Sequence, residues 1–134
     1  MGRIYMGTRT SCECLVEVAD EGKRREREPL APRHDIISHS PAGFEWGYEG
    51  GGPAQLALAI LADAFGPVVA EMGHQRFRRD VVANLPREEW TLTTDDLREW
   101  LSSLIEAKSE LEAVLLEQEE QKRISERTQR RPSK

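Results

Sequence analysis

The sequence predicts an α+β fold, in which a small N-terminal β-hairpin or sheet packs on three helices and the last helix is long. Two observations support this prediction. Residues 12–18 alternate between apolar and polar side chains with the period of a half-buried strand, and three later segments repeat apolar residues at helical spacing. The length of 134 residues is typical of one domain.

The N-terminal part of the chain predicts strands joined by a charged turn. Residues 3–7 have the length of a short strand, and residues 12–18 form the second one. The charged run at residues 20–28 predicts a turn, and we expect the hairpin or meander to end by about Ile37. Prolines within residues 29–43 remove backbone donors, which predicts a loop there.

Two helices are predicted in the middle of the chain. The first begins near Pro53, because proline is favoured in the first turn of a helix, and it ends at Gly66. Apolar residues cover most of its surface, so we expect it to be buried on several sides. The second helix covers about residues 67–85, where Gly73 is a candidate break and Pro86 ends the pattern.

The last helix is predicted to begin at Thr93 or Thr94, because either hydroxyl group suits an N-cap. Just before it, Trp90 and Leu92 are predicted to lie in a short connector.

We expect three parts along the chain: a compact domain over residues 1–103, a helical extension over residues 104–125 and a disordered basic tail over residues 126–134. The charge distribution changes near the last boundary. Residues 94–126 carry ten acidic and four basic side chains, whereas residues 127–134 carry four basic side chains and no acidic one.

The composition disfavours several classes of protein. A formal net charge of -5 gives no general attraction to a phosphate backbone. No run is apolar enough for a signal peptide or a membrane span, so we expect a cytoplasmic location and no membrane partner. Cys12 and Cys14 are too close for an unstrained disulfide, which favours a reducing compartment.

The most distinctive segment is a loop in which three aromatic residues alternate with other residues beside four glycines. Its candidate ligand-binding residues are His39, Phe44, Glu45, Trp46, Gly47, Tyr48, Gly50, Gly51, Gly52 and Gln55. Aromatic rings stack on flat ligands, and glycines allow a close backbone approach. The alternative is that the aromatic side chains cover the helical core.

The three glycines before Pro53 also precede a helix N-terminus, where unpaired N–H groups bind anions in many proteins. Pro53 lacks one of these donors, and Glu45 and Glu49 would repel an anion. The alternative is a tight turn that lets the loop pack on the helix.

Metal binding and catalysis have weaker support. Cys12, Cys14, His34 and His39 are potential zinc ligands, but their spacing does not match the usual pairs. No nucleophile and base are spaced as covalent catalysis requires. We therefore expect no catalytic residue, no metal, no cofactor and no enzymatic activity.

A local basic cluster on the second helix is a candidate nucleic-acid contact, formed by Arg76, Arg78 and Arg79. Nearby acidic residues dilute this cluster, as they dilute the basic residues of the charged turn. The sequence therefore disfavours nucleic acid as a partner.

The last helix carries a stronger signal for a partner. Its apolar stripe continues beyond residue 103, and the candidate partner-binding residues are Leu104, Leu111, Val114 and Leu115. An exposed stripe of this kind binds a second copy of the chain or another helix. The alternative is that this helix folds back on the N-terminal sheet.

Three runs along the chain carry a family resemblance: HSPAGFEWGYEGGGPAQLALAILADAFG, FRRDVVANLP and WTLTTDDLREWL. Together with IYMGTR and PLAPRHDIISHSP, they resemble the uncharacterised domain-of-unknown-function family 6166 over about residues 3–101. The resemblance implies no biochemical activity. It implies an accessory protein linked to bacterial or archaeal phages and plasmids.

The leading prediction is a small non-enzymatic accessory protein that acts as a protein-interaction module, with self-association through the last helix. The first alternative is a protein that binds a nucleotide or a phosphorylated metabolite through residues 39–55. The second alternative is a regulator that binds nucleic acid.

Overall fold

The fold class is α+β, as the sequence predicts. The computed structural model describes residues 2–130, with side chains described up to residue 127. The chain divides into two compact units, with the boundary between Asp95 and Asp96. The first unit contains a four-stranded antiparallel sheet and two helices, and the second contains most of the long last helix.

The sheet consists of β1 (Arg3–Arg9), β2 (Cys14–Asp20), β3 (Glu28–Pro29) and β4 (Glu89–Thr93). Its strands lie in the order β3-β2-β1-β4, so β1 is flanked by β2 and β4. The second strand begins at Cys14 rather than at Cys12, which is exposed in the preceding bend.

One face of the sheet points towards the helices of the first unit. Tyr5 on β1 lies opposite Val18 on β2 and Leu92 on β4, and Tyr5 and Val18 are fully buried. The Tyr5 hydroxyl donates a 2.7 Å hydrogen bond to a carboxylate oxygen of Asp63. Burial and this carboxylate both raise the pKa of Tyr5, so the phenol stays protonated and holds the sheet to the following helix.

The helices are α1 (Gly51–Phe65), α2 (Pro67–Asp80) and α3 (Thr94–Arg130), and a 3₁₀ turn follows α2 at Val82–Asn84. Helix α1 is buried from Pro53 to Ala62, which matches its apolar composition. Helix α2 continues through Gly73 and ends at Asp80, so the predicted second helix is shorter at its C-terminus and has no break.

Residues 90 and 92 belong to a strand, so the prediction of a connector was wrong. Trp90 and Leu92 lie in β4, which pairs with β1 along five residues. The pairing partners are more than 80 residues apart in the chain, and a strand this short gives little local signal.

Thr94, the first residue of α3, binds the backbone of β1 through its side chain. Its hydroxyl group accepts a 2.8 Å hydrogen bond from the backbone N–H of Arg3 and donates one to the Arg3 carbonyl.

Residues 126–130 of the expected basic tail continue α3, and residues 131–134 lie outside the described residues. Within residues 2–130, no helix has both the length and the apolar character needed to cross a membrane.

Gly7 is required by the packing of Trp90. The two residues are neighbours on β1 and β4, and the Trp90 indole lies directly over the Gly7 Cα atom. A Cβ atom at residue 7 would overlap the indole ring. The same ring makes an edge-to-face contact with Trp46, at a centroid distance of 5.6 Å.

We therefore predict that Gly7→Ala lowers the free energy of unfolding by about 2 kcal/mol, the usual cost of overpacking a core. Urea denaturation followed by tryptophan fluorescence measures this change. Thr8→Ala, at an exposed position of the same strand, is the control and should change stability little. Equal stability of Gly7→Ala and the wild type would contradict the packing described here.

Candidate functional site

Gln55 anchors the proline-rich loop to α1. The side chain is fully buried, and its oxygen accepts hydrogen bonds from the backbone N–H groups of His39 (2.7 Å) and Ser40 (3.2 Å). Its amide group donates to the carbonyl oxygens of Pro32 (2.6 Å) and Ile37 (3.1 Å). One carboxamide thus satisfies four backbone groups of a loop that has no ladder partner of its own.

The anchored loop brings His39 against α2. The Nε2 atoms of His39 and His74 lie 2.9 Å apart, while the ring centroids are 5.0 Å apart. The rings therefore meet nearly head-on through these two nitrogens. A hydrogen bond between the two nitrogens needs this head-on approach. A metal ion would need both lone pairs to converge on it at an angle, so the geometry fits a shared proton better.

The hydrogen bonds of His74 determine which nitrogen carries each proton. Its Nδ1 atom lies 2.8 Å from the carbonyl oxygen of Ala70, and a carbonyl only accepts, so Nδ1 must donate. A neutral His74 then accepts at Nε2, and His39 must donate from its own Nε2. In the neutral pair, the Nδ1 atom of His39 therefore carries a lone pair.

A second anchor holds the aromatic half of the loop. Arg9 on β1 makes a bidentate ion pair with Glu45, with distances of 2.7 and 3.0 Å. Its guanidinium group also lies over the Trp46 ring, at 4.9 Å from the centroid. The hydrogen bonds from Arg9 lower the pKa of Glu45, so this carboxylate stays ionised near neutral pH.

The backbone around residue 87 completes this anchor. The Arg87 carbonyl accepts hydrogen bonds of 3.0 Å from Arg9 Nε and from the Trp46 indole N–H. Trp46 is buried, so it is part of the core. Gly47 follows with a φ of 85°, and its N–H donates to the Val82 carbonyl.

Tyr48 differs from Trp46, because 52% of its surface is exposed. It lies at the border of two clefts that also share Glu45. The larger cleft has a volume of about 510 Å³ and is lined by Cys12, Cys14, Phe44 and Gly52, among others. The smaller cleft has a volume of about 280 Å³ and is lined by Arg9 and Arg87. The loop thus combines one packed aromatic ring with one ring at the rim of a cavity.

The start of α1 is covered by the loop itself. A Cβ atom at Gly51 would lie 2.7 Å from the His39 carbonyl oxygen, and one at Gly52 would lie 2.6 Å from the Glu45 Cβ atom. The glycines therefore allow the loop to approach the helix, which is the geometry of the tight-turn interpretation. The Glu45 side chain is the anionic group that packs at this positive helix end.

The two cysteines line the larger cleft but form no metal cluster. Burial and the nearby Glu45 carboxylate raise the pKa of Cys14, so its thiol stays protonated near neutral pH. Among the described residues, no three His, Cys, Asp or Glu side chains are placed to share a metal ion. His34 is exposed, and His39 pairs with His74 instead.

The three arginines of the basic cluster have different surroundings. Arg76 makes a 3.2 Å ion pair with Asp80, and Arg79 lies 4.0 Å from the same residue. Arg78 is half-buried, with a buried Nε atom, and its charge acts on His39. One carboxylate therefore neutralises part of the cluster, while the charge of Arg78 acts on the histidine pair.

The candidate partner-binding residues lie on α3, where every described side chain from residue 105 to residue 127 is exposed. Leu111, Val114 and Leu115 each expose about half of their surface, and Leu104 is half-buried. Leu104 and Leu111 are seven residues apart, so they lie in one column along the helix. Val114 and Leu115 lie on either side of that column.

Sequence reasoning located the loop but missed the residues that hold it. Arg9, Arg87 and His74 were not among the candidate site residues. Gln55 was included for its place in the loop, although its role is to anchor the backbone. A buried glutamine within an apolar helix is the one local signal that could have indicated such a role.

A family model described as "Family of unknown function (DUF6166)" matches residues 5–103. The chain therefore belongs to this family, whose description names no activity. No curated protein matches the chain, and no solved structure matches it.

The role of Gln55 predicts that Gln55→Leu leaves four backbone groups of the loop without their partner. We expect the free energy of unfolding to fall by at least about 4 kcal/mol, since each of the four unsatisfied groups costs about 1–3 kcal/mol. Chemical denaturation measures the change. Gln75→Leu, at an exposed position of α2, is the matched control. A loss no greater than that of the control would contradict the anchoring role.

The histidine pair predicts that acidification destabilises the fold. Burial, His74 and Arg78 lower the pKa of His39, so the unfolded chain binds this proton more readily than the folded chain. The free energy of unfolding should therefore fall as the pH drops from about 7.5 to about 5.5, the range in which histidine titrates. Thermal unfolding in buffers free of phosphate and sulfate measures this.

His39→Gln should flatten this pH dependence, because glutamine can still donate to His74 but does not titrate. His34→Gln removes an exposed histidine from the same loop and should leave the dependence as it is. If the stability of the wild-type protein did not change with pH over this range, the assignment of a lowered pKa to His39 would be contradicted.

Proposed function

We propose that this member of the DUF6166 family is a small non-enzymatic accessory protein that acts as a protein-interaction module. We propose that α3 is its binding surface and that the partner is a second copy of the same helix. The observation that supports this is the exposed apolar stripe of Leu111, Val114 and Leu115 on a helix of 37 residues. Burial of such a stripe against another helix is favourable.

The charges of α3 support a second copy as the partner. Lys108 and Lys122 lie within or beside the apolar column, and Glu112 and Glu119 lie along its border. None of these four side chains makes an ion pair among the described residues. The surface therefore offers both charges to a partner, and an identical helix offers the complementary set.

The chemistry of the first unit supports a non-enzymatic role. The Cys14 thiol stays protonated, and both ring nitrogens of His74 are occupied by hydrogen bonds. Glu45 is paired with Arg9. Glu45 and His74 are held by these contacts, and a protonated thiol is a weak nucleophile, so none of the three groups is free to act as a nucleophile or a base.

Leu111→Glu tests this function, because it places a charge at the centre of the stripe while glutamate keeps a good helix propensity. The wild-type chain should show a concentration-dependent dimer mass in sedimentation velocity or native mass spectrometry. The variant should dissociate at a concentration at least about tenfold higher, which corresponds to about 1.4 kcal/mol.

Leu116→Glu is the control. Leu116 is equally exposed, but it lies five residues after Leu111 and therefore away from the stripe. Its dimer should dissociate as the wild-type dimer does, and circular dichroism should give the same helix content for all three proteins. A wild-type chain that stays monomeric at every concentration, or a Leu111→Glu variant that dimerises normally, would contradict the proposal.

A further inference from the structure

Among the described residues, Arg78 is the one arginine of the basic cluster that is half-buried and makes no ion pair. It is half-buried, and its Nε atom is buried without a hydrogen-bond partner among the described residues. No carboxylate of the described residues makes an ion pair with it, in contrast to Arg76, which Asp80 neutralises. A buried side-chain nitrogen usually has a hydrogen-bond partner, because burial of an unpaired polar group is costly.

The groups around Arg78 add to this positive character. His74 lies one turn before it on α2, so the two side chains share a face of the helix. His39 meets that face through the 2.9 Å contact with His74. The Gln55 amide, which is neutral, holds the His39 backbone from α1. His74 and Arg78 are the described charged or titratable groups that act on His39, and both are basic.

His39 also has an unused nitrogen. Its Nε2 atom is committed to His74, whereas no hydrogen bond among the described residues involves its Nδ1 atom. Because Arg78 shares a helix face with His74, which contacts His39, an anion bound beside His39 would be within reach of the guanidinium group and of a protonated Nδ1. A water molecule could satisfy the Arg78 Nε–H, but it would not neutralise the charge.

We propose that His39 and Arg78 bind a phosphate group, with His74 as a positioning residue that fixes the orientation of the His39 ring. Arginine suits this role because its planar fork matches the oxygen atoms of a phosphate. This inference is independent of the α3 interface and concerns only the first unit. The proposed ligands are side chains of the loop and of α2, and not the backbone N–H groups of α1.

The site couples phosphate binding to proton uptake. The bound anion favours the charged imidazole, opposing the burial and the two basic neighbours that lower the pKa of His39 in the free protein. One proton should therefore bind together with a phosphate dianion, whereas a phosphate monoanion can itself supply the proton to His39. The affinity should fall by up to about tenfold per pH unit above the pKa of His39 in the complex.

The test is a titration of the full chain with inorganic phosphate at pH 6 and pH 8, with sodium chloride at matched ionic strength as the reference. NMR of the imidazole nitrogens follows the protonation of His39, and thermal unfolding follows stability. Phosphate should protonate His39 Nδ1 and raise the melting temperature more at pH 6 than at pH 8. Chloride should do neither.

Arg78→Gln and His39→Gln should each weaken phosphate binding at least tenfold. Arg76→Gln and His34→Gln, which remove neighbouring basic groups outside the site, should bind as the wild type does. Amide spectra of the free variants check their folding, and the two site variants test the proposal independently.

Three results would overturn the proposal. The first is a rise in the melting temperature of the wild-type chain that is no greater with phosphate than with chloride. The second is equal phosphate binding by the wild type and by Arg78→Gln, which would indicate nonspecific binding elsewhere. The third is binding of acetate at this site without binding of phosphate, which would replace the phosphate assignment by a carboxylate.

Discussion

The buried carboxamide of Gln55 holds the loop from Pro32 to Ser40 on α1, and the geometry around the candidate site depends on it. This loop contains prolines and has no strand partner, so its backbone groups have few alternatives. Because Gln55 binds both N–H and C=O groups, it fixes the position and the direction of the chain. The placement of His39 against His74 follows from that constraint.

The Arg9–Glu45 ion pair performs the same task for the second half of the loop. It connects β1 to the segment before α1, and the cation also covers the Trp46 ring. The pair is largely shielded, which makes it worth more than an exposed surface pair. Together the two anchors hold a segment without regular structure, and Tyr48 lies on this segment at the border of the two clefts.

The molecule thus combines two kinds of surface that depend on different physics. The first unit has polar groups whose hydrogen bonds and charges are arranged by long-range contacts, and Arg78 is a half-buried arginine without an ion pair among the described residues. Helix α3 has an apolar stripe that is already evident from spacing along the chain. A charge left unpaired indicates a small anion, whereas an exposed stripe indicates another helix.

The sequence by itself determined the parts of the fold that depend on local spacing. It predicted the α+β class, the first two strands, the order of three helices and the apolar stripe of α3, because helical and strand periods are visible within a few turns. It left open whether that stripe is exposed. It also located the segment from His39 to Gln55, whose glycines and aromatic residues are unusual together.

Only the tertiary structure decided how distant residues meet. Trp90 and Leu92 became strand residues through pairing with β1, more than 80 residues away. His39 and His74 are 35 residues apart, and Arg9 and Glu45 are 36 apart. The sequence does not distinguish the three arginines of the basic cluster, but the structure gives them different surroundings: Arg76, Arg78 and Arg79. The physical reason is that a charge or a hydrogen-bonding group takes its role from the partner that the fold supplies, and no local spacing specifies that partner.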